Sequence, residues 1–442
     1  MSSTSFQEKW TEIEQAGGPK GYIRKHLNRR SYRPNIMTVK SEKEKKRLVQ
    51  RAREEEARRK ELQAYVWEVY TQTHVSHLGD DIFWRDFIGE DFFDPHERSK
   101  RQEEQDLKPI ESVEELVAFL KEAVPELDIS MLRWFCYHRD VTTSTHYRQF
   151  FVPKKSGGQR AIWAPLPRLK ALQKLILKKV VEKMSIHGAA HGFVLGKSIL
   201  SNAEEHTDSK VVVSIDLKDF FPSFSFRRVK GIFRSYGYPE GIATLLALIC
   251  TEAERRVVKL EEDDQTYYVA TGPRVLPQGS PASPALTNVA SMRMDRRLSQ
   301  YAANNGWRYT RYADDLTFSF PNGQSQPEDI GALLSMVNYV VKDEGFQVNK
   351  KKTHIMRAHK RQEVTGLVVN GGGTPRVSKR RRRMLRNALY NAQKGIVTEN
   401  GLVLEQLIGH AAFVYAAQPE LGRDLIDGFA ALLGSAGDHS SE

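Results

Sequence analysis

Hydrophobic and polar positions divide the chain into stretches of different texture. From Lys40 to about Tyr70 basic and acidic residues alternate without Gly or Pro, among them Arg51, Arg53, Glu54, Glu55, Glu56, Arg58, Arg59 and Lys60. That spacing predicts a solvated helix laced by charge pairs three and four residues apart, with RNA contact as its alternative use. Phe83, Trp84, Phe87, Phe92 and Phe93 follow among acidic residues and read as the inner face of a small subdomain, with a docking patch as the alternative. Ser112 and Glu115 form an S-x-x-E capping box ahead of Leu116, Phe119 and Leu120, so a new helix, and with it a new domain, is expected near residue 110. Beyond Tyr147 short β-rich runs (Phe150 to Pro153, Val211 to Leu217, Arg308 to Tyr312, Leu316 to Phe320, Val364 to Asn370) are separated by helical stretches. This mixture predicts an α+β fold rather than a regular parallel array. After Gly371-Gly372-Gly373 the pattern is helical to the end, opening on Lys379 to Arg383 and closing with apolar stretches around Leu402 to Ala417 and Leu421 to Leu433.

Charge sharpens this picture. The 442 residues carry 67 Lys plus Arg against 55 Asp plus Glu, a net charge of +12, which favours a polyanionic partner. A hydrophobic content of 40% excludes disorder throughout. Cys136 and Cys250 are the only cysteines and neither sits in a CxxC or Cys/His cluster, which excludes a disulfide framework and a cysteine-based zinc site and suits a reducing cytosol. The longest apolar run, Ala243 to Cys250, is far short of the roughly 20 residues that span a bilayer, so a soluble, cytoplasmic protein without a membrane partner is expected.

Three segments carry candidate chemistry. In Trp307 to Phe320 two β-rich runs flank Asp314 and Asp315, placing adjacent carboxylates at a hairpin tip. Such a pair suits a solvated turn, or a site where a cation offsets the repulsion. Val211 to Asp216 is an apolar strand ending in an acid. Should it lie beside the hairpin in one sheet, Asp216 and Asp314 could hold two Mg²⁺ ions about 4 Å apart, the arrangement that activates a hydroxyl and stabilises a leaving pyrophosphate. Leu276 to Pro284 is a loop in which Gly279 permits close backbone approach and from which a helix can start.

In chain order, Ser214-Ile215-Asp216 with Phe220-Phe221, Leu276-Pro277-Gln278-Gly279-Ser280, and Tyr312-Ala313-Asp314-Asp315 resemble motifs A, B and C of reverse transcriptases. Pro153 to Arg160 resembles the fingers segment that holds the incoming triphosphate, and Gly345 to Thr353 resembles motif D. Two further signatures, Asn202-Ala203-Glu204-Glu205-His206 and Val364-Thr365-Gly366, are similar to the NAxxH and VTG motifs of bacterial retron reverse transcriptases. Group II intron and abortive-infection reverse transcriptases, or an RNA-binding scaffold with a polymerase fold, are the alternatives.

The resemblance implies a right-hand polymerase: an N-terminal helical extension over 1–110, fingers and palm over 111–370, and a helical RNA-binding thumb over 371–442. It implies Asp216, Asp314 and Asp315 as catalytic metal carboxylates holding two Mg²⁺ ions. Lys154, Lys155 and Arg160 would clamp phosphates, and Phe221 would exclude a ribose 2′-hydroxyl so that dNTPs are the substrate. Gln278 and Gly279 would line the nascent base pair, and Lys352 would neutralise or protonate the pyrophosphate. Asp219 stays outside the metal set. Asn202, His206, Val364, Thr365 and Gly366, with the thumb block Lys379, Arg380, Arg381, Arg382, Arg383 and Arg386, are the expected RNA-binding residues. The implied product is an RNA–DNA hybrid molecule primed from a 2′-hydroxyl of a structured noncoding RNA, made in anti-phage defence. An effector would then be a separate protein or lie within residues 1–110.

Overall fold

The computed structural model describes residues 3–27, 41–73, 95–153, 157–259, 265–324, 328–371, 373–394 and 404–437. The aromatic run from Phe83 to Phe93, together with Lys154 and Lys155, lies outside them. The described strands are β1 (Val141–Thr142), β2 (Tyr147–Pro153), β3 (Gln159–Pro165), β4 (Ser209–Asp216), β5 (Glu252–Lys259) and β6 (Thr266–Val275). They continue as β7 (Arg308–Tyr312), β8 (Asp315–Pro321), β9 (His354–Arg357), β10 (Glu363–Val364) and β11 (Leu367–Val368). No described helix is long and apolar enough to cross a membrane.

The chain forms two compact units, residues 1–183 with 226–281 and residues 184–225 with 282–442. Because the chain leaves and re-enters each unit, this division runs across the expected boundaries at 110 and 370.

In the first unit the charged segment is the 32-residue helix Glu42–Thr73, with a Lys60–Glu56 pair at 3.3 Å in the expected four-residue register. Its apolar end, Val66 and Val69, packs on Trp10, Ile13 and Tyr22 of the preceding helices. Ser112 caps the helix Val113–Leu120 by accepting the Glu115 N–H, but the Glu115 carboxylate accepts from Glu111 N–H, so the return arm of the capping box is displaced by one residue. The apolar run near Cys250 lies in the helix Glu240–Cys250, buried from Ile242 onward, a core helix by length and setting. β2 and β3 pair as an antiparallel hairpin, and β1, β6 and β5 form a three-stranded sheet whose two long strands the apolar pattern did not announce. The fully buried Gln173 donates to the Tyr147 hydroxyl and the Ile249 carbonyl and accepts from the Ser280 hydroxyl, fixing the Leu276–Ser280 loop.

In the second unit β7, β8, β4 and β9 form an antiparallel sheet in that order, so the expected neighbourhood of the Asp216 strand and the hairpin is present. The strand expected over Val364 to Asn370 is instead the short β10–β11 hairpin turning at Thr365 and Gly366, both at positive φ. This hairpin shares one apolar core with the helices Lys379–Gln393, Leu404–Ala417 and Pro419–Gly437, through Val364, Leu367, Leu385, Leu407, Val414 and Phe429. Truncating the fully buried Phe429 to Ala removes the centre of that core. The expected loss is about 3–5 kcal/mol, read as a fall in the urea midpoint; a loss below about 1 kcal/mol would show that these helices are not tightly packed.

Candidate active site

β4 ends on Asp216 and β8 begins on Asp315, and the antiparallel register sets these two residues opposite one another. The turn between β7 and β8 consists of Ala313 and Asp314, so all three carboxyl-bearing residues sit at one end of one sheet. Leu217 N–H donates to the Asp314 carbonyl at 2.9 Å, fastening the turn to β4. Asp216 is 8% exposed, and its Oδ1 accepts from Lys352 Nζ at 2.8 Å while its Oδ2 accepts from Asn349 Nδ2 at 3.0 Å. The Asn349 N–H also donates to the Asp216 carbonyl at 2.8 Å, so the Asn349–Lys352 segment is held beside the strand end by backbone and side chain together. Asp219 is at positive φ with a 71% exposed side chain.

The electrostatics follow from this crowding. Burial first, and then the neighbouring Asp314 and Asp216 charges, push the Asp315 carboxyl up to about 6 against the pull of Lys352. The hydrogen bond to Asp216 holds the Lys352 ammonium above its usual range, assisted by the three carboxylate charges.

Ala313 adopts a left-handed φ of 56°, a conformation costing a residue with a Cβ about 1–2 kcal/mol, and a fully buried network holds it there. Arg311 and Asp295, both 0% exposed, form a bidentate pair: Arg311 Nε donates to both Asp295 oxygens and Nη2 donates to Oδ2 at 2.7 Å. Arg311 Nη1 donates to the Ala313 carbonyl at 3.2 Å and to Asn288 Oδ1 at 3.0 Å. Asn288 Nδ2 donates to the Gly192 carbonyl at 2.8 Å, and the Tyr309 hydroxyl donates to Asp295 at 2.8 Å. Burial opposes the Arg311 charge, and Asp295 more than offsets it, raising its pKa; burial and Asp295 likewise keep the Tyr309 phenol protonated. Gly192 lies directly under the turn, where an added Cβ would stand 2.6 Å from Ala313 N. Sequence reading missed this network, because Asp295 among arginines looks like part of a solvated helix face and Arg311 looks like strand flank. The one available signal was an Arg two residues before the acid-bearing turn, in the short strand Arg308–Tyr312.

The other expected site residues have varied settings. Phe221 is half-buried against Phe220 and Phe193, with ring centroids 5.8 and 6.5 Å away. In the first unit Arg160 is exposed on β3, and Gln278 accepts at its carbonyl from Trp163 N–H at 2.7 Å. The close approach that Gly279 permits is to the Trp163 backbone, since a Cβ there would lie 2.5 Å from Trp163 O. The two retron-like signatures meet inside the second unit. His206 is fully buried between Ser319 Oγ and Thr310 Oγ1, each at 2.7 Å, and burial, then Arg308 and His191, push its imidazole down to about 3, so it is neutral. Asn202 and Val364 are buried as well, and Thr365 Oγ1 donates to Ile199 O at 2.9 Å, tying the β10–β11 turn to the helix Ile199–Glu204. The side chains of Asn202, His206 and Val364, expected at the RNA, thus present almost no surface to solvent; Gly366 alone of the two motifs' expected contacts is exposed. In the thumb block Lys379, Arg380, Arg383 and Arg386 are exposed, whereas Arg382 is half-buried and Arg381 turns inward, 4.7 Å over the Phe413 ring.

Three carboxylates gathered at one sheet end, one of them with its pKa raised by burial and by its two neighbours, suit a hard divalent cation, which takes oxygen ligands and relieves their repulsion. Among the described residues no group of three or more His, Cys, Asp or Glu side chains is arranged to hold a metal ion by itself, and both Asp216 oxygens are engaged by Lys352 and Asn349. The donor chemistry fits a metal whose coordination other groups complete.

Two outcomes follow for stability. Arg311→Met leaves the Asp295 carboxylate buried without its partner and should cost about 3–5 kcal/mol; Arg311→Met with Asp295→Leu should recover most of that in urea titrations without recovering activity at the aspartate turn, and recovery of both would show that the pair does not position the turn. A carboxyl raised in the folded state loses stability as pH climbs from its unfolded value near 4 through about 6. In the presence of chelator, Asp315→Asn should therefore stabilise the protein by up to about 2 kcal/mol at pH 7.5 and hardly at all at pH 4; equal effects at both pH values would refute the electrostatic origin.

Residues 152–370 match the family described as reverse transcriptase (RNA-dependent DNA polymerase). The retron Mx162 reverse transcriptase of Myxococcus xanthus is 42% identical over 423 residues, covering 93% of this chain and 86% of that protein. The retron Mx65 reverse transcriptase of the same organism is 41% identical, covering 71% of this chain and 70% of its own, and the retron Ec86 reverse transcriptase of Escherichia coli is 35% identical, covering 55% and 68%. Similarity at this level extends well beyond the catalytic segments and favours the retron group over the intron and abortive-infection alternatives; with the three aspartates gathered at one sheet end, it establishes that the chain belongs to the bacterial retron reverse transcriptases, RNA-directed DNA polymerases that use divalent metal ions and an RNA template.

Proposed function

We propose that this polymerase copies one cognate structured noncoding RNA, primes from a 2′-hydroxyl of that RNA, and releases branched RNA–DNA (msDNA) that serves anti-phage defence in the cytoplasm with a separate effector protein. The observation that carries this reading is the 42% identity over 93% of the chain to a retron enzyme, far beyond the catalytic motifs. In the reaction a hydroxyl oxygen attacks the α-phosphorus of a dNTP, the new P–O bond forms, the bond to the β-phosphate oxygen breaks and pyrophosphate leaves. Two Mg²⁺ ions held by Asp216, Asp314 and Asp315 would supply the hydroxyl activation and phosphate neutralisation. Asn349 and Lys352 fix the Asp216 carboxylate, and Lys352, kept as an ammonium, is the proton source or counter-charge for pyrophosphate. Phe221 excludes the ribose 2′-hydroxyl, Arg160 with Lys154 and Lys155 clamps the triphosphate, and Gln278 and Gly279 line the base pair.

The RNA-facing surface of the thumb is the exposed stripe Lys379, Arg383, Arg386 and Tyr390, spaced as one face of the helix Lys379–Gln393. A basic stripe with an exposed ring suits an A-form backbone, read through phosphates and 2′-hydroxyls.

Three measurements test the reading. Asp314→Ala with Asp315→Ala should abolish primer extension, and DNA from cells carrying the parent gene and its flanking RNA gene should contain a debranching-sensitive RNA–DNA molecule; robust extension of generic templates with no such molecule would reject the retron role while keeping the polymerase. Arg383→Glu with Arg386→Glu should weaken cognate RNA binding and reduce the slope of log K against log salt by about 2, whereas an unchanged slope would remove the stripe from the interface.

A further inference from the structure

Phe193 is unusual on two counts. It is a bulky residue with a left-handed φ of 60°, and its ring is 49% exposed. The backbone conformation costs about 1–2 kcal/mol, and a half-exposed ring recovers little of that by burial. Its neighbours explain how the conformation is held. The His191 N–H donates to the Arg311 carbonyl at 2.8 Å, the Gly192 carbonyl accepts from Asn288, and Gly192 has no room for a Cβ against Ala313. The backbone entering Phe193 is thus clamped to the strand and turn that carry the catalytic aspartates.

The clamp delivers the ring to a particular place. Its centroid lies 6.5 Å from that of Phe221 at an interplanar angle of 58°, and 6.5 Å from that of Tyr312 at 40°. Both separations fall within the range of interacting aromatic pairs. Phe221 also meets Phe220, which is 3% exposed and anchored edge-on against Phe224 and tilted against Phe346. Phe221 is therefore bracketed by a buried ring, Phe220, and by an exposed one, Phe193, whose position is fixed by its backbone.

We propose that Phe193 is a specificity-determining residue of the nucleotide site: it braces Phe221 in the orientation that excludes a ribose 2′-hydroxyl. This rests on the reading of Phe221 as the sugar gate. Removing Phe193 leaves the Phe221 side chain space to rotate away from the sugar, so a ribonucleotide is accepted more readily while the carboxylates stay in place. An alternative use of the exposed ring, as a stacking surface for the primer, would alter the handling of both sugar types equally.

The test compares kcat/KM for one dNTP and the matching rNTP on a single primed RNA template, using the full chain. Phe221→Ala should raise the rNTP/dNTP ratio by at least about 10-fold, and Phe193→Ala should raise it by about 10-fold, within the discrimination one apolar contact supplies. Phe193→Asn, which tolerates the left-handed conformation, should match Phe193→Ala, and Phe193→Tyr should return the parent ratio. A general folding defect lowers both rates and leaves the ratio unchanged, so the ratio separates specificity from stability. A shift in Phe221→Ala with none in Phe193→Ala or Phe193→Asn overturns the proposal alone. No shift in Phe221→Ala overturns the gate reading and, with it, the role assigned to Phe193.

Discussion

The repulsion among Asp216, Asp314 and Asp315 is the constraint around which the second unit is built. Two unit charges about 4 Å apart repel by about 4 kcal/mol at an effective dielectric of 20, so three carboxylates gather only where other parts of the chain hold them. Three devices do so here. The cross-strand register sets Asp216 against Asp315, the Leu217 N–H grips the Asp314 carbonyl, and Lys352 places an ammonium on Asp216. The elevated Asp315 pKa records burial first and, after it, the repulsion from Asp314 and Asp216 that these devices contain without removing. A polymerase gains from leaving that residue of unbalanced charge, because it draws divalent cations to the place where phosphates must be neutralised.

The buried Arg311–Asp295 pair belongs to the same problem. Taking both charges out of water is costly, and an apolar pair of similar volume would often serve stability as well. An apolar pair could not donate to the Ala313 carbonyl, orient Asn288, or through Asn288 hold Gly192 beneath the turn. The ion pair is a positioning device whose cost is offset by hydrogen bonds at every polar end, including the Tyr309 hydroxyl. Its influence reaches Phe193, since the loop that presents this ring is tied to the same strand. Geometry at the aspartate-bearing turn and the course of the backbone entering Phe193 are thus fixed by one buried network.

What could be read in the sequence was the chemistry that is local in the chain. Asp216, Asp314 and Asp315 stood out because each ends or interrupts an apolar run, and the α+β texture followed from the alternation of β-rich and helical stretches. Partners distant in sequence were not legible: Asp295 is 16 residues from Arg311 and on another element, and Asn349 is 133 residues from the carboxylate it contacts. The NAxxH and VTG signatures were recognisable as patterns, yet a pattern does not say which way a side chain points. His206 and Asn202 point inward, so these motifs act in the structure by joining the helix Ile199–Glu204 to the β10–β11 hairpin and to the sheet. The thumb block was legible as charge, whereas its division into an outward stripe and an inward Arg381 needed the helix phase and the Phe413 ring.

That division also changes the meaning of the net charge of +12. A uniform excess of positive charge would attract any polyanion and would also blunt the negative field that brings cations to the aspartates. In the second unit the signs are sorted instead. Most of the arginine block lies on an exposed helix face, Lys352 is committed to Asp216, and Arg311 is neutralised within the interior by Asp295. Screening limits the reach of exposed charges to about 8–10 Å in physiological salt, so an exposed basic stripe and a crowded acidic turn can keep opposite preferences when they lie further apart than that. A polymerase acting on RNA needs both preferences at once, and it is the placement of these charges, more than their sum, that provides them.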